Sequence, residues 1–206
     1  MELRQPVLSV LIATMPKRHW YLMVLLTSLT SQLKDITLPE QVPSKEPSLW
    51  GPGTAYNPPV EILVDASMDY NIGTKRNKLL ERATGKYIVF VDDDDEVAPN
   101  YLKQICSATL QDADCIGISG LITTDSRNHR QWHISKEYRS WYERNGVYYR
   151  TPNHISPVKR ELALQAGFPE ISFGEDHGYS MRLLPLLKSE VTIPGNLYFY
   201  KYISNK

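Results

Sequence analysis

The run Gly85-Lys86-Tyr87-Ile88-Val89-Phe90-Val91-Asp92-Asp93-Asp94-Asp95-Glu96 decides how this chain is read. Its first half is β-branched and aromatic, the composition of a buried strand, and it ends on an unbroken row of acids. In an extended backbone successive side chains alternate faces, so Asp92 and Asp94 would point one way and Asp93 and Asp95 the other. Two unit charges about 4 Å apart near a protein surface repel by roughly 4 kcal/mol. A hard divalent cation such as Mg²⁺ or Mn²⁺ is the natural occupant of such a crowd of oxygens. A plainer reading is open beside it. Acids before a helix favour the positive end of its dipole by about 0.3–1 kcal/mol each, and Val97-Ala98-Pro99-Asn100-Tyr101 reads as a helix start. One or two acids suffice for that role, and this run carries more.

Upstream, Pro6 to Ala13 reads as a first core strand running into a turn at Thr14-Met15-Pro16. Trp20 to Leu33 follows as a helix, with Leu22, Leu25, Leu26 and Leu29 at helical spacing. From Pro39 to Pro59 comes a connection rich in proline, glycine and serine, longer than most loops of a compact domain; it is expected to be an insertion against or over a site. Val60 to Asp65 is a second strand that again ends on an acid, and a helix from about Thr74, its expected cap, to Ala83 leads into the central run. Beyond the acids a helix over about Pro99 to Leu110 and a strand near Asp114 to Leu121 complete the alternation. Strand and helix alternating in this way predict an α/β fold, a mostly parallel sheet covered on both faces. Ligands of such sheets sit at the carboxyl ends of the strands, where Thr14, Asp65 and the acidic run all lie.

The stretch Thr123 to Asn153 is polar and aromatic. Ser135 is expected to cap a helix reaching Asn145-Gly146, with Tyr138, Trp141 and Tyr142 on one face. Trp132 and these aromatics are acceptor-site candidates, because aromatic faces with polar tips suit sugar rings, although the same spacing also serves to dock a helix on the core. Near the end, Phe173-Gly174-Glu175-Asp176-His177-Gly178 precedes a helix over about Tyr179 to Leu187. Glu175 and Asp176 could serve its dipole, but glycines on both sides fit an active-site loop. His177 stands there as a structural hydrogen-bonder or a site residue.

The chain has 206 residues, the size of one large domain, with Lys plus Arg and Asp plus Glu at 23 each. No net field recruits a polyanion, so nucleic acid is not an expected partner. Cys106 and Cys115 lack metal-ligand spacing and fit buried free thiols of a reducing compartment, hence a cytoplasmic location. No stretch reaches the ~18–20 uninterrupted apolar residues of a transmembrane segment.

In this order the motifs resemble family 2 of the nucleotide-sugar glycosyltransferases, whose fold is called GT-A. The resemblance rests on Leu8-Ser9-Val10-Leu11-Ile12-Ala13-Thr14, Glu61 to Asp69, Gly73-Thr74-Lys75-Arg76-Asn77, the run from Ala83 to Asp95 with its DxD motif, and Gly174-Glu175-Asp176. It implies a single GT-A domain over 1–206, with about 1–122 binding the nucleotide sugar and about 123–206 the acceptor. By the same resemblance Asp65 holds the base, Arg76 lies near the base or diphosphate, Asp92 contacts the ribose region, and Thr14 and Asp93 belong to that donor side. Asp94 would ligate the Mn²⁺ or Mg²⁺ cofactor and Asp176 would be the catalytic base, with Trp132, Glu175 and His177 on the acceptor side. The implied partners are a UDP-, GDP- or dTDP-linked donor and a glycan or glycoconjugate acceptor. Two departures stand out: Ala13-Thr14-Met15-Pro16 replaces the usual Pro-Thr-Tyr-Asn, and Ala66 stands where the family has glycine. The Gln-x-x-Arg-Trp motif of processive members is absent, which favours transfer of single sugars over polymer synthesis, and inversion is what the family resemblance and the single late carboxylate imply.

Two other functions are compatible with parts of this pattern. A nucleotidyltransferase acting on sugar phosphates would also set acids on an α/β sheet, but it wants a glycine-rich phosphate loop after the first strand, and Ala13-Thr14-Met15-Pro16-Lys17 has no glycine. A non-catalytic carbohydrate-binding domain would use the aromatic segment and leave both acidic clusters without a role.

Overall fold

The computed structural model describes residues 5–36, 59–125 and 127–202. The connection expected from Pro39 to Pro59 lies, apart from Pro59 itself, outside the described residues. Strand β1 (Leu8–Ala13) pairs in parallel with β2 (Val60–Asp65) on one side and β3 (Tyr87–Phe90) on the other. All three are covered on both faces, and the alternation of side chains divides them between two cores. Leu8, Val10, Ile12, Tyr87 and Val89 pack under α1 (His19–Gln32) and α3 (Tyr101–Thr109). Leu11, Ile88 and Phe90 pack on the opposite side, with Leu79 and Leu80 of α2 (Ile72–Arg82), Ala163 of α4 (Arg160–Ala166) and Tyr179 of α5 (Glu175–Leu183). This doubly covered sheet is the mixed α/β architecture predicted from the alternating pattern.

Apart from β5 (Cys115–Thr124), expected near Asp114 to Leu121, the rest of the sheet is built from strands that the pattern did not announce. A short β9 (Val158–Lys159) enters antiparallel between β3 and β5, giving the order β2-β1-β3-β9-β5-β6-β8-β7 with β6 at Arg127–Ile134. A long last strand, β10 (Glu190–Tyr202), lies parallel to β5 and also pairs with β4 (Glu96–Val97), immediately after the acids.

The helix expected from Ser135 to Gly146 is instead a hairpin of β7 (Tyr142–Arg144) and β8 (Val147–Arg150). Asn145 and Gly146 form its two-residue turn, both with positive φ, as a turn matching the twist of the strands requires. Tyr142 stacks flat on Tyr149 across the hairpin, so the aromatic pattern belongs to cross-strand pairing and not to a helix face. Trp132 is likewise corrected. It is 6% exposed, edge-on to Tyr198 and laid over Gly120, where a Cβ would stand 2.4 Å from the indole. It fills the core and presents no platform for a sugar. The α2 cap also moves: it is Asn71, three residues before the expected Thr74, and its side chain accepts the Thr74 N–H. Among the described residues no helix is long and apolar enough to cross a membrane.

Candidate active site

The acidic run leaves β3 and turns at once. Asp95 N–H donates to the Asp92 carbonyl (3.2 Å), so the four aspartates fan out around a turn and do not alternate as an extended strand would. Each is met by a different group. Asp92 accepts from Arg76 Nη2 (3.0 Å) and faces His154 Nε2 (3.2 Å). Asp93 is bonded by the Thr14 hydroxyl and ion-paired with Arg18 Nη1 (2.8 Å), while Arg18 Nη2 reaches Asp94. Asp95 accepts from the Tyr198 hydroxyl (2.8 Å) and the Lys201 N–H (2.9 Å). Like-charge crowding is thus relieved here by two arginines and a ring of donors.

The neighbouring strand ends lie beside the turn. Thr14 N–H donates to the Asp65 carbonyl (2.9 Å), Lys75 Nζ to the Thr14 carbonyl (2.6 Å), and Asp65 accepts from Ser67 N–H and the Tyr70 hydroxyl. Across from them Gly174, with φ of 78°, opens α5, and Asp176 in its first turn accepts from the His177 N–H (2.8 Å). Glu175 points inward instead, and is buried against Arg76 Nη1 (2.7 Å). The Arg76 guanidinium therefore spans the acidic turn and the late Glu-Asp pair. It lies buried between these acids, where the resemblance had set it near the base or diphosphate.

Tyr200 lies two residues along β10 from Tyr198. Burial, followed by the charges of Asp95, Asp92, Asp94 and Asp176, pushes its hydroxyl up to about 12. The register puts Tyr198 and Tyr200 opposite Gly120 and Ile122 of β5, which pair with Trp132 and Arg130; Tyr148 and Arg150 continue the same face on β8. Nearby, the Arg150 guanidinium lies over Trp141 (5.0 Å), whose ring meets His177 edge-on (5.1 Å). Thr14, Asp65, Asp92, Asp93 and Asp94 thus lie just at or past the carboxyl ends of β1, β2 and β3, while Asp176 stands on α5, whose Glu175 is tied to Asp92 through Arg76, and His177 is exposed. Trp141 was among the expected acceptor-site aromatics, whereas Arg18, Lys75, His154, Tyr198, Tyr200 and Arg150 were not predicted. Only the tyrosines carried a signal, since Tyr198, Tyr200 and Tyr202 recur at the period of a strand.

Electrostatics inside the turn differ residue by residue. Burial would raise Asp92, but His154 and Arg76 outweigh it and hold the carboxyl well below the usual range. Burial and the charge of Asp92 push Asp95 well above it. A carboxyl raised in the fold costs stability once it ionises, so this contribution worsens as pH climbs from about 4, the unfolded value, toward the folded one. Asp95→Asn should accordingly stabilise the metal-free protein at pH 7 by about 1 kcal/mol, or ~2–4 °C in Tm, and give no gain near pH 3. Thermal melts at the two pH values check the sign.

Compared with known proteins, residues 54–178 match the model of glycosyl transferase family 2, more than half of the chain. The chain belongs to this family. Its fold is that of the GT-A enzymes: it is similar to S. aureus TarS 1-349 in complex with UDP, at 18% identity and a TM-score of 0.64 over 94% of this chain and 60% of that one. The TarS complex with UDP-GlcNAc gives 15% and 0.63 over 97% and 59%. GalNAc-T7 with UDP, GalNAc and Mn²⁺ gives 15% and 0.58 over 98% and 44%. The family 2 chain described here thus spans well under two thirds of the length of these neighbours. Among curated proteins, none matches it by sequence.

Proposed function

We propose that this family 2 domain transfers one sugar from a nucleoside-diphosphate sugar to an acceptor hydroxyl, with inversion and with a divalent cation. The observation that carries the reading is the bridge made by Arg76, which joins Asp92 of the acidic turn to Glu175, the residue beside Asp176. A donor lying along the carboxyl ends of β1 to β3 would place its diphosphate at the turn. Asp176 would then take the proton of the attacking hydroxyl as oxygen bonds to the anomeric carbon and the bond to the diphosphate breaks on the opposite side. Such a displacement needs one base, unlike glycoside hydrolysis with its two carboxylates. Trp141, His177, Arg150 and Tyr200 line the acceptor half.

The donor atoms suit Mg²⁺ or Mn²⁺ in one particular mode. Among the described residues no cluster of three or more His, Cys, Asp or Glu forms a protein cage. A cation held beside a diphosphate needs only one or two carboxylates, the rest of its shell being phosphate oxygens and water. Asp94, with Asp92 next to it on the turn, supplies that number. When bound, the metal would act as a Lewis acid on the leaving diphosphate. The likeness of this fold to one solved with UDP and Mn²⁺ supports the mode.

The deciding experiment incubates the protein with a panel of UDP-, GDP- and dTDP-sugars, with and without Mn²⁺ or Mg²⁺. Release of the nucleoside diphosphate that depends on metal is the expected outcome. Release of pyrophosphate from a nucleoside triphosphate and a sugar phosphate would move the site to nucleotidyl transfer, and no turnover of any donor would leave a binding domain.

A further inference from the structure

We infer that Arg76 is a positioning residue, a strut that fixes the helix start carrying Asp176 against the acidic turn, and is not a ligand of the donor. Its catalytic consequence rests on the glycosyl-transfer reading above. The guanidinium side chain is only 6% exposed, with one terminal nitrogen on Asp92 (3.0 Å) and the other on Glu175 (2.7 Å). Its plane is further enclosed by the rings of Phe168 (5.6 Å) and Phe90 (5.7 Å), which come from the loop before α5 and from β3. Both terminal nitrogens are thus engaged by carboxylates, and Nε is buried with no hydrogen-bond partner among the described residues.

The placement has a mechanical logic. Asp92 is the first residue of the acidic turn to leave the sheet, and Glu175 precedes Asp176 in the chain by one peptide. Glu175 opens α5 straight after Gly174, a left-handed residue that by itself allows the chain to pivot. A bidentate, buried, charge-assisted pair removes that freedom, and only arginine can reach both carboxylates with a planar fork. The base is thereby held at a set distance from the turn by one side chain. Lysine could satisfy one carboxylate at a time.

The test measures steady-state kinetics and amide hydrogen exchange on Arg76→Lys, Arg76→Ala and Glu175→Gln in the full chain. A strut predicts that kcat falls about tenfold in Arg76→Lys and further in Arg76→Ala, while the donor KM stays within about threefold. It also predicts that amides 174–178 exchange at least about tenfold faster in the variants, with the strands β1 and β3 unaffected. Glu175→Gln should reproduce the pattern with Arg76 in place, which keeps the inference testable if Arg76→Ala does not fold. A donor KM raised tenfold or more with kcat retained would make Arg76 a donor ligand and overturn the strut. Unchanged exchange at 174–178 would overturn it as well. Absence of turnover in the wild type would instead count against the proposed reaction, and the exchange data would still decide the strut.

Discussion

Asp176→Asn is expected to lower kcat by about 10²-fold or more while nucleoside diphosphate affinity changes by less than about threefold. The amide is the same size and its oxygen still accepts the His177 N–H that Asp176 accepts, so the first turn of α5 keeps its local geometry. What disappears is the ability to take a proton. The lost charge at a helix N-terminus costs only about 0.3–1 kcal/mol, too little to unfold a chain of this size. The donor side, built from Thr14, Asp65 and the turn, is untouched by the change. Single-turnover assays together with titration of the nucleoside diphosphate separate the two effects. An Asn variant that keeps its rate would remove Asp176 from the role of base, and an equal loss of nucleotide affinity would place it among the donor contacts.

The parts of the fold readable from residues alone were those in which period and burial agree. β1, β2 and β3 are short apolar runs bounded by turn residues, and in a parallel sheet covered on both faces such runs are unambiguous. Their ends carry Thr14, Asp65 and Asp92, so the grouping of these residues followed from strand order. The segment Thr123 to Asn153 resisted for a different reason. Tyr138, Trp141 and Tyr142 have helical spacing, yet Asn145-Gly146 is a hairpin signal, and the turn chemistry prevailed because it sets the register that stacks Tyr142 on Tyr149. Trp132 was a candidate because its ring suits sugars, but no local pattern reveals that Gly120 lies opposite it across a strand pair. Arg18 and His154 were out of reach in the same way. Their roles arise from contacts 75 and 62 positions away along the chain, to Asp93 and Asp92, which only the tertiary fold creates.

Asp94→Ala is expected to abolish metal-dependent tightening of nucleoside diphosphate binding, and Arg18→Ala to move the same quantity in the opposite direction. The argument follows from how the turn distributes its acids. Asp93 and Asp95 are buried and bonded to Thr14, Tyr198 and the Lys201 N–H, and Asp92 is held by Arg76 and His154. Asp94 meets Arg18 in a partly buried pair, the side chains 14% and 22% exposed. A divalent ion on Asp94 must displace that guanidinium. If the pair is worth on the order of 1 kcal/mol, deleting Arg18 should tighten metal binding by about fivefold. Calorimetric titration of Mn²⁺ into each variant with UDP or GDP present measures both effects without any turnover. An Asp94→Ala protein that titrates like the wild type would dismiss the acidic turn as the metal site, and weaker binding in Arg18→Ala would assign that arginine to the diphosphate itself.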